Sequence, residues 1–271
     1  MQPTRIAAVR YLNTAPLIEG LDVLSGVSLL PSVPSAIVGM IERGEADIGL
    51  ASIVDCVAGE RPLVLLPVGM IGCDGPTMTV RLYSKVPFDC TKILHADTDS
   101  HTSVILARVI LKRLYLVRPE VRPLDTKSIA GAHAPETLLL IGDKVVTSPP
   151  DAAQYPHQLD LGAAWKELTG LPFVYAMWMC REEDAGRPGI RTATVILKRQ
   201  RLHNRSRIDW LTQHRTSTTR WPLDVAQTYL GGLLRYAVGE REREAVVEFL
   251  GMAAEDGLLP ARVPQWATPL V

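Results

Sequence analysis

Two clusters of small polar residues stand where this chain could do chemistry. The first, Asn13 and Thr14, lies in RIAAVRYLNTAPLIEG, Arg5 to Gly20. Arg5 to Val9 reads as a short buried strand, and Tyr11-Leu12-Asn13-Thr14 breaks it with polar groups. Pro16 suits the first turn of a helix, where its missing N–H would be unpaired anyway. A strand ending in Asn-Thr at a helix start gathers an amide, a hydroxyl and free backbone N–H groups, a ready site for an anionic small molecule. The same two residues would serve equally as helix caps. The second cluster, Asp97 to Ser103, follows a strand at Ile93 to Ala96. Ser100 is the natural N-cap of a helix from about Thr102 to Leu114, with Ser103 three residues on. Two hydroxyl-rich strand-to-helix junctions, each aiming N–H groups at one cleft, suit a dicarboxylate. Ser52 ends the short strand after Glu45, and Asp143 ends the apolar strand Thr137 to Gly142.

Other chemistries fit less well. His95, Asp97, Asp99 and His101 look like hard and imidazole metal ligands, yet the run lacks the glycine and terminal glutamate of a calcium loop, and Ser100 turns the strand. No metal is expected. A nucleophile elbow, a P-loop and a dinucleotide glycine fingerprint are all missing, so no cofactor is expected either. Lys198 to Arg207, KRQRLHNRSR, contains no aromatic residue and reads as a solvated helix face. With 29 basic and 29 acidic residues, no global field attracts nucleic acid. Trp165, Tyr175 and Trp178 read as core rather than as a stacking platform. Cys56, Cys73, Cys90 and Cys180 are too scattered for a zinc site or a disulfide framework and read as reduced thiols.

The elements that must position these groups follow from the hydrophobic pattern. The chain has 271 residues, 47% of them hydrophobic, enough to bury a sizeable core in one large domain or two lobes. Strand, helix and strand repeat through Ser52, which predicts a parallel sheet with binding groups at the carboxyl ends of its strands. Leu63 to Val68 reads as a further strand, Gly69 to Pro76 (GMIGCDGP) as a glycine-rich loop, and Thr77 to Ser84 as a strand. Lys85-Val86-Pro87 is a crossing point between lobes, and Glu182 to Pro188 the return crossing. Helices at Leu161 to Leu168, Arg191 to Leu202, Ile208 to His214, Leu223 to Tyr236 and Glu240 to Ala254 complete the pattern. The expectation is a two-lobed α/β protein, residues 1–86 with 186–271 forming one lobe and 87–185 the other, the ligand between them. No apolar run approaches the ~20 residues of a membrane span. MQPTRIAAV lacks a basic head, a long apolar run and a cleavage site. A cytoplasmic protein with no membrane partner is expected.

Several motifs, in order, resemble one family. They are YLNTAPL (Tyr11 to Leu17), GEADIG (Gly44 to Gly49), Asp74-Gly75-Pro76, Ser100-His101-Thr102-Ser103 and Leu140-Ile141-Gly142-Asp143. The longest is DLGAAWKELTGLPFV, Asp160 to Val174, and Tyr229-Leu230, Tyr236, Gly239, Glu248-Phe249 and Gly257-Leu258 extend the likeness into the C-terminal helices. The chain resembles the menaquinone-biosynthesis proteins of the futalosine route, in their chorismate dehydratase branch. The sister branch, a lyase acting on a later intermediate, opens on a Ser-Pro-Asn type motif that this chain lacks.

The resemblance implies a periplasmic-binding-protein-like fold of type II used as an enzyme, a hydro-lyase that removes water from chorismate. It implies Asn13 and the Thr79 hydroxyl closest to the chemistry. Ser52, Ser100, Thr102 and Ser103 fall where the family holds carboxylates, with Thr14 beside Asn13. Thr79 stands where serine is usual, adding a methyl that restricts its rotamers. His101 stands where arginine is frequent, removing a bidentate carboxylate partner if it faces the cleft. Were His101 to pair with substrate, KM would rise as pH climbs through its pKa. None of the hydroxyl and amide residues titrates near neutrality. The ring proton must pass to Asp143, to another carboxylate, or to the substrate's own enolpyruvyl carboxylate, which is the reading preferred here. The rival from another class is a non-catalytic carboxylate-binding protein or sensor of the same fold.

Overall fold

A computed structural model describes residues 2–97, 100–125, 129 and 134–268. The chain opens on alternating strands and short helices: β1 (Thr4–Ala8), α1 (Ala15–Ile18), β2 (Val27–Pro31), α2 (Pro34–Glu42), β3 (Ile48–Ser52) and α3 (Asp55–Ala58). A long β4 (Leu63–Cys73) leads into β5 (Val80–Ser84), β6 (Ile93–Ala96), α4 (His101–Tyr115), β7 (Glu120–Pro123) and β8 (Thr137–Ile141). Next come α5 (Lys144–Thr147), β9 (His157–Asp160), α6 (Leu161–Thr169) and β10 (Phe173–Arg181). The C-terminal part holds α7 (Pro188–Ser206), α8 (Ile208–Thr216), α9 (Leu223–Gln227), β11 (Leu234–Arg235), α10 (Glu240–Glu255) and β12 (Gln265–Trp266).

Among the described residues the strands form two sheets. The first has the order β11-β4-β10-β3-β1-β2, with β12 also paired to β4; the second runs β7-β6-β8-β5-β9. The expected parallel pairings hold at β1 with β2 and β3, and at β6 with β7 and β8. β10 enters the first sheet antiparallel, between β3 and β4.

The strands change sheet earlier than the composition of the linkers suggests. β5 pairs with β8 and β9 in the second sheet, and β10 pairs with β3 and β4 in the first. The sheets are therefore exchanged between Cys73 and Val80 and between Asp160 and Phe173, not at Lys85–Pro87 and Glu182–Pro188. An apolar run reveals a strand but not which sheet it joins, because either neighbour would cover it equally well. Gly69 to Cys73 likewise continues β4 rather than forming a loop. Gly72 is required there by close approach: a Cβ would collide with the Phe173 carbonyl of the neighbouring strand.

Two main cores hold the layers. Trp165, Phe173 and Phe249 meet edge to face, with centroids 4.9–5.7 Å apart, and belong to a cluster that runs between both sheets and α10. Trp178, Ile6, Ile48 and Leu197 pack the other face of the first sheet against α7. Trp165 and Trp178 are thus core, as their sequence positions suggest. The four cysteines are free thiols. No helix among the described residues is long and apolar enough to cross a membrane.

Candidate active site

The carboxyl ends of the parallel strands converge on one cavity of about 260 Å³ between the sheets. β1 runs out through Val9 and Tyr11 to Asn13, and β3 delivers Ser52. From the second sheet, β6 passes into Asp97 and Ser100, and β8 into Gly142, Asp143 and Lys144. Tyr175 and Ala176 of β10, with Tyr229 and Leu234, complete the wall.

Thr79 is set at this cavity by a constrained turn. Met78 adopts a positive φ of 68°, a conformation that side chains other than glycine rarely take. The Asp160 carboxylate holds the turn by accepting the Thr77 and Met78 N–H groups at 3.0 and 2.8 Å. The same carboxylate caps α6 through the Gly162 and Ala163 N–H groups. On the other side Gly142, at φ +69°, donates its N–H to the Thr79 carbonyl at 2.8 Å. Thr79 is only 3% exposed, and its hydroxyl lies 2.7 Å from the Tyr229 hydroxyl.

Tyr229 lies in a wide π-helical turn, Thr228–Leu233, with its ring stacked on Trp221 at 5.1 Å. Burial pushes its phenol well above the ordinary value, and the hydrogen bonds of Thr79 and Asn13 only partly offset that. The phenol is therefore neutral at physiological pH and has one hydrogen to donate. The Asn13 side-chain oxygen is buried without a hydrogen-bond partner among the described residues. An orphaned acceptor at a cavity wall is costly unless a ligand donates to it.

Other groups on the cavity wall suit an anion. Ser100 caps α4, its oxygen accepting the Ser103 N–H at 3.2 Å, and the two hydroxyls lie 2.9 Å apart. The first turn of this 15-residue helix offers N–H groups with no partner inside the helix. Lys144 supplies a cation and is paired with Asp97.

Of the residues expected at the site, Asn13, Ser52, Thr79, Ser100, Ser103 and Asp143 line the cavity. Three do not. The Thr14 hydroxyl is occupied by the Val9 and Tyr11 carbonyls at 2.9 and 2.8 Å, so Thr14 fastens the strand-to-helix turn. Thr102 is buried and donates to the Tyr175 carbonyl at 2.9 Å, tying α4 to β10. His101 turns away as well, its Nδ1 lying 2.8 Å from the Asp55 carboxylate. Residues 100 and 103 share a helix face; 101 and 102 do not. Of the four residues weighed as metal ligands, Asp99 lies outside the described residues, and Asp97 and His101 are held by different partners. Lys144 and Tyr229 also line the cavity, and spacing alone did not single them out.

The Asp55 carboxylate raises the His101 pKa above its usual 6.5, burial opposing it. A raised folded value means that the pair stabilises the protein fully below about 6.5 and loses that contribution as pH rises through the folded pKa. His101→Ala is expected to lower the melting temperature most at acidic pH, the gap to the wild-type protein closing as pH rises. A gap that widens with pH would reverse the assignment. Because His101 does not line the cavity, its titration is expected to leave substrate KM flat.

Comparison with known proteins places this geometry. Residues 4–255 match the family model described as menaquinone biosynthesis. The chain belongs to that family. A protein named chorismate dehydratase, from Thermus thermophilus, is 29% identical over 198 residues, covering 68% of this chain and 72% of that one. Among solved structures, a protein from Archaeoglobus fulgidus superposes with a TM-score of 0.69 at 12% identity, covering 94% of this chain and 98% of that one. The periplasmic aliphatic sulphonate binding protein of Escherichia coli gives 0.65 at 15% identity, covering 97% and 95%. At such identities these likenesses speak to fold alone, and the fold is the two-lobed, periplasmic-binding-protein-like one.

Proposed function

We propose that this member of the menaquinone-biosynthesis family is a chorismate dehydratase, a hydro-lyase converting chorismate to 3-[(1-carboxyvinyl)oxy]benzoate and water. The observation that carries the reading is the shape of the cavity's chemistry. Ser100, Ser103, the first turn of α4 and Lys144, groups able to hold an anion, share one cavity with the neutral side chains of Asn13, Thr79 and Tyr229. Chorismate has the matching halves, two carboxylates and one hydroxyl that must leave.

Elimination aromatises the ring, so the reaction is downhill and the protein's share is orientation and electrostatics. The hydrogen on the ether-bearing carbon leaves as a proton to the substrate's enolpyruvyl carboxylate. The neighbouring C–O bond breaks, and the departing hydroxyl takes up the proton held by that carboxylate and becomes water, leaving the carboxylate ionised as it began. Tyr229, a neutral phenol, donates to Thr79 and so directs the Thr79 hydrogen towards the departing oxygen. The orphaned Asn13 oxygen accepts the hydrogen of that same hydroxyl, fixing its direction of departure. Asp143 lines the wall but is not needed as the base in this scheme.

Lys144 contacts a carboxylate, and a hydrogen bond to a charged group contributes ~1.5–3 kcal/mol. Lys144→Met is expected to raise KM for chorismate by roughly tenfold to a hundredfold with a smaller change in kcat. An unchanged KM would remove Lys144 from the anion site.

The test of the reaction is incubation of purified protein with chorismate, followed by chromatography and mass analysis. A product lighter by one water supports the proposal. Chorismate held but recovered unchanged would favour a binding protein of this fold instead.

A further inference from the structure

On the outer side of the first sheet, α7 and the β4–β12 edge border a second, open groove of about 1330 Å³ that shares no lining residue with the cavity between the sheets. Arg191, Lys198, Arg199, Arg201 and Arg243 line it, against one carboxylate, Glu182. The chain as a whole carries zero net charge, so this is segregation of charge rather than a basic composition. Among the described residues none of the five cations pairs with a carboxylate, whereas Arg5, Arg113, Arg181, Arg187 and Arg215 all do.

Arg201 is the decisive member. It is 8% exposed, and its Nε donates to the Val68 carbonyl at 2.8 Å, which leaves the rest of the guanidinium without a partner among the described residues. The stem of Arg201 is buried while its terminal nitrogens open on the groove without a counter-ion, and leucine or methionine would fill the same space more cheaply. Its burial and the neighbouring Arg205 both press against its charge.

We propose that this groove binds a small molecule carrying a condensed phosphate, with Arg201 as the deep anchor and Arg191, Lys198, Arg199 and Arg243 around it. A guanidinium fork matches phosphate oxygens two at a time and stays charged when desolvated, where a lysine would neutralise. Several cations along one helix suit several negative charges, and the groove exceeds the ~300–1000 Å³ of an ordinary small-molecule pocket. An extended ligand is therefore implied rather than a single carboxylate. Leu66, Val68 and Trp266 offer apolar cover for an uncharged portion, and the Arg243 guanidinium lies 4.5 Å from the centre of the Trp266 ring. The depth of Arg201 favours a slim phosphate chain over an acidic protein segment.

The test is calorimetric titration of the full chain with sodium tripolyphosphate, with hexaglutamate and sodium chloride at matched ionic strength as controls. Saturable one-to-one binding below about 1 mM is expected, weakening as salt is added. Arg201→Gln should weaken it by roughly tenfold or more. The exposed double variant Lys198→Glu with Arg199→Glu, which disturbs no core contact, should do the same and carries the test if Arg201→Gln does not fold. Turnover of chorismate by the double variant should stay at the wild-type level. No saturable heat up to about 10 mM, binding of hexaglutamate in place of tripolyphosphate, or equal affinity in all variants would overturn the proposal.

Discussion

Replacing Asn13 by aspartate is expected to lower chorismate turnover by roughly two to three orders of magnitude, the loss seen when one preorganised polar group at a reacting centre is removed. The substitution is nearly isosteric, so the fold has little reason to change. It exchanges an amide for a carboxylate at a wall where the side-chain oxygen already lacks a partner. A further negative charge beside a dianionic substrate repels it, and a carboxylate cannot donate to the Tyr229 phenol as the amide does. KM and kcat should both suffer, kcat more. Undiminished turnover would remove Asn13 from the chemistry.

The second large effect is expected at the pair 2.7 Å apart, Thr79 and Tyr229. Thr79→Val keeps the branched shape and loses only the hydroxyl, and kcat should fall by roughly a hundredfold. Tyr229→Phe keeps the ring on Trp221 and removes the partner that orients Thr79, and a loss of roughly tenfold is expected, mostly in kcat. The double variant should be little worse than Thr79→Val alone, because Tyr229 acts through the threonine hydroxyl. Fully multiplying losses, measured by steady-state kinetics on proteins of equal melting temperature, would show that the two residues act separately.

The two-lobed architecture and six of the cavity's lining residues were legible in the sequence, Thr79 through the family resemblance and the others through local signals as well. Ser100 with Ser103 is a capping pattern, and Asn13 and Ser52 sit where strands end, the positions that α/β sheets use for ligands. A run of polar residues does not say which helix face looks inward, so His101 and Thr102 carry no mark that sets them apart from Ser100; the 100–103 spacing does. Lys144 does have a signal: a site for a dianion assembled from neutral groups lacks a counter-charge, and a lysine follows Asp143 directly. Tyr229 belongs to the family likeness, but nothing local to it points to a place at the cavity wall. It lies 150 residues from Thr79, in a stretch that reads as one helix from Leu223 to Tyr236. The chain instead makes a short α-helix, a π-turn and a strand pairing with β4, and that change of path brings the phenol to the wall. The strand exchange between sheets was hidden for a related reason, since pairing partners are a property of the assembled layers.

We propose that the cavity between the sheets removes water from chorismate by means of Asn13, Thr79 and Tyr229. The most direct test is a time course of chorismate loss and product appearance with wild-type protein and the Asn13→Asp variant at equal concentration. The wild-type protein is expected to convert chorismate mole for mole into 3-[(1-carboxyvinyl)oxy]benzoate while the variant is nearly silent. Chorismate recovered intact from the wild-type protein, or equal rates in both, would contradict it.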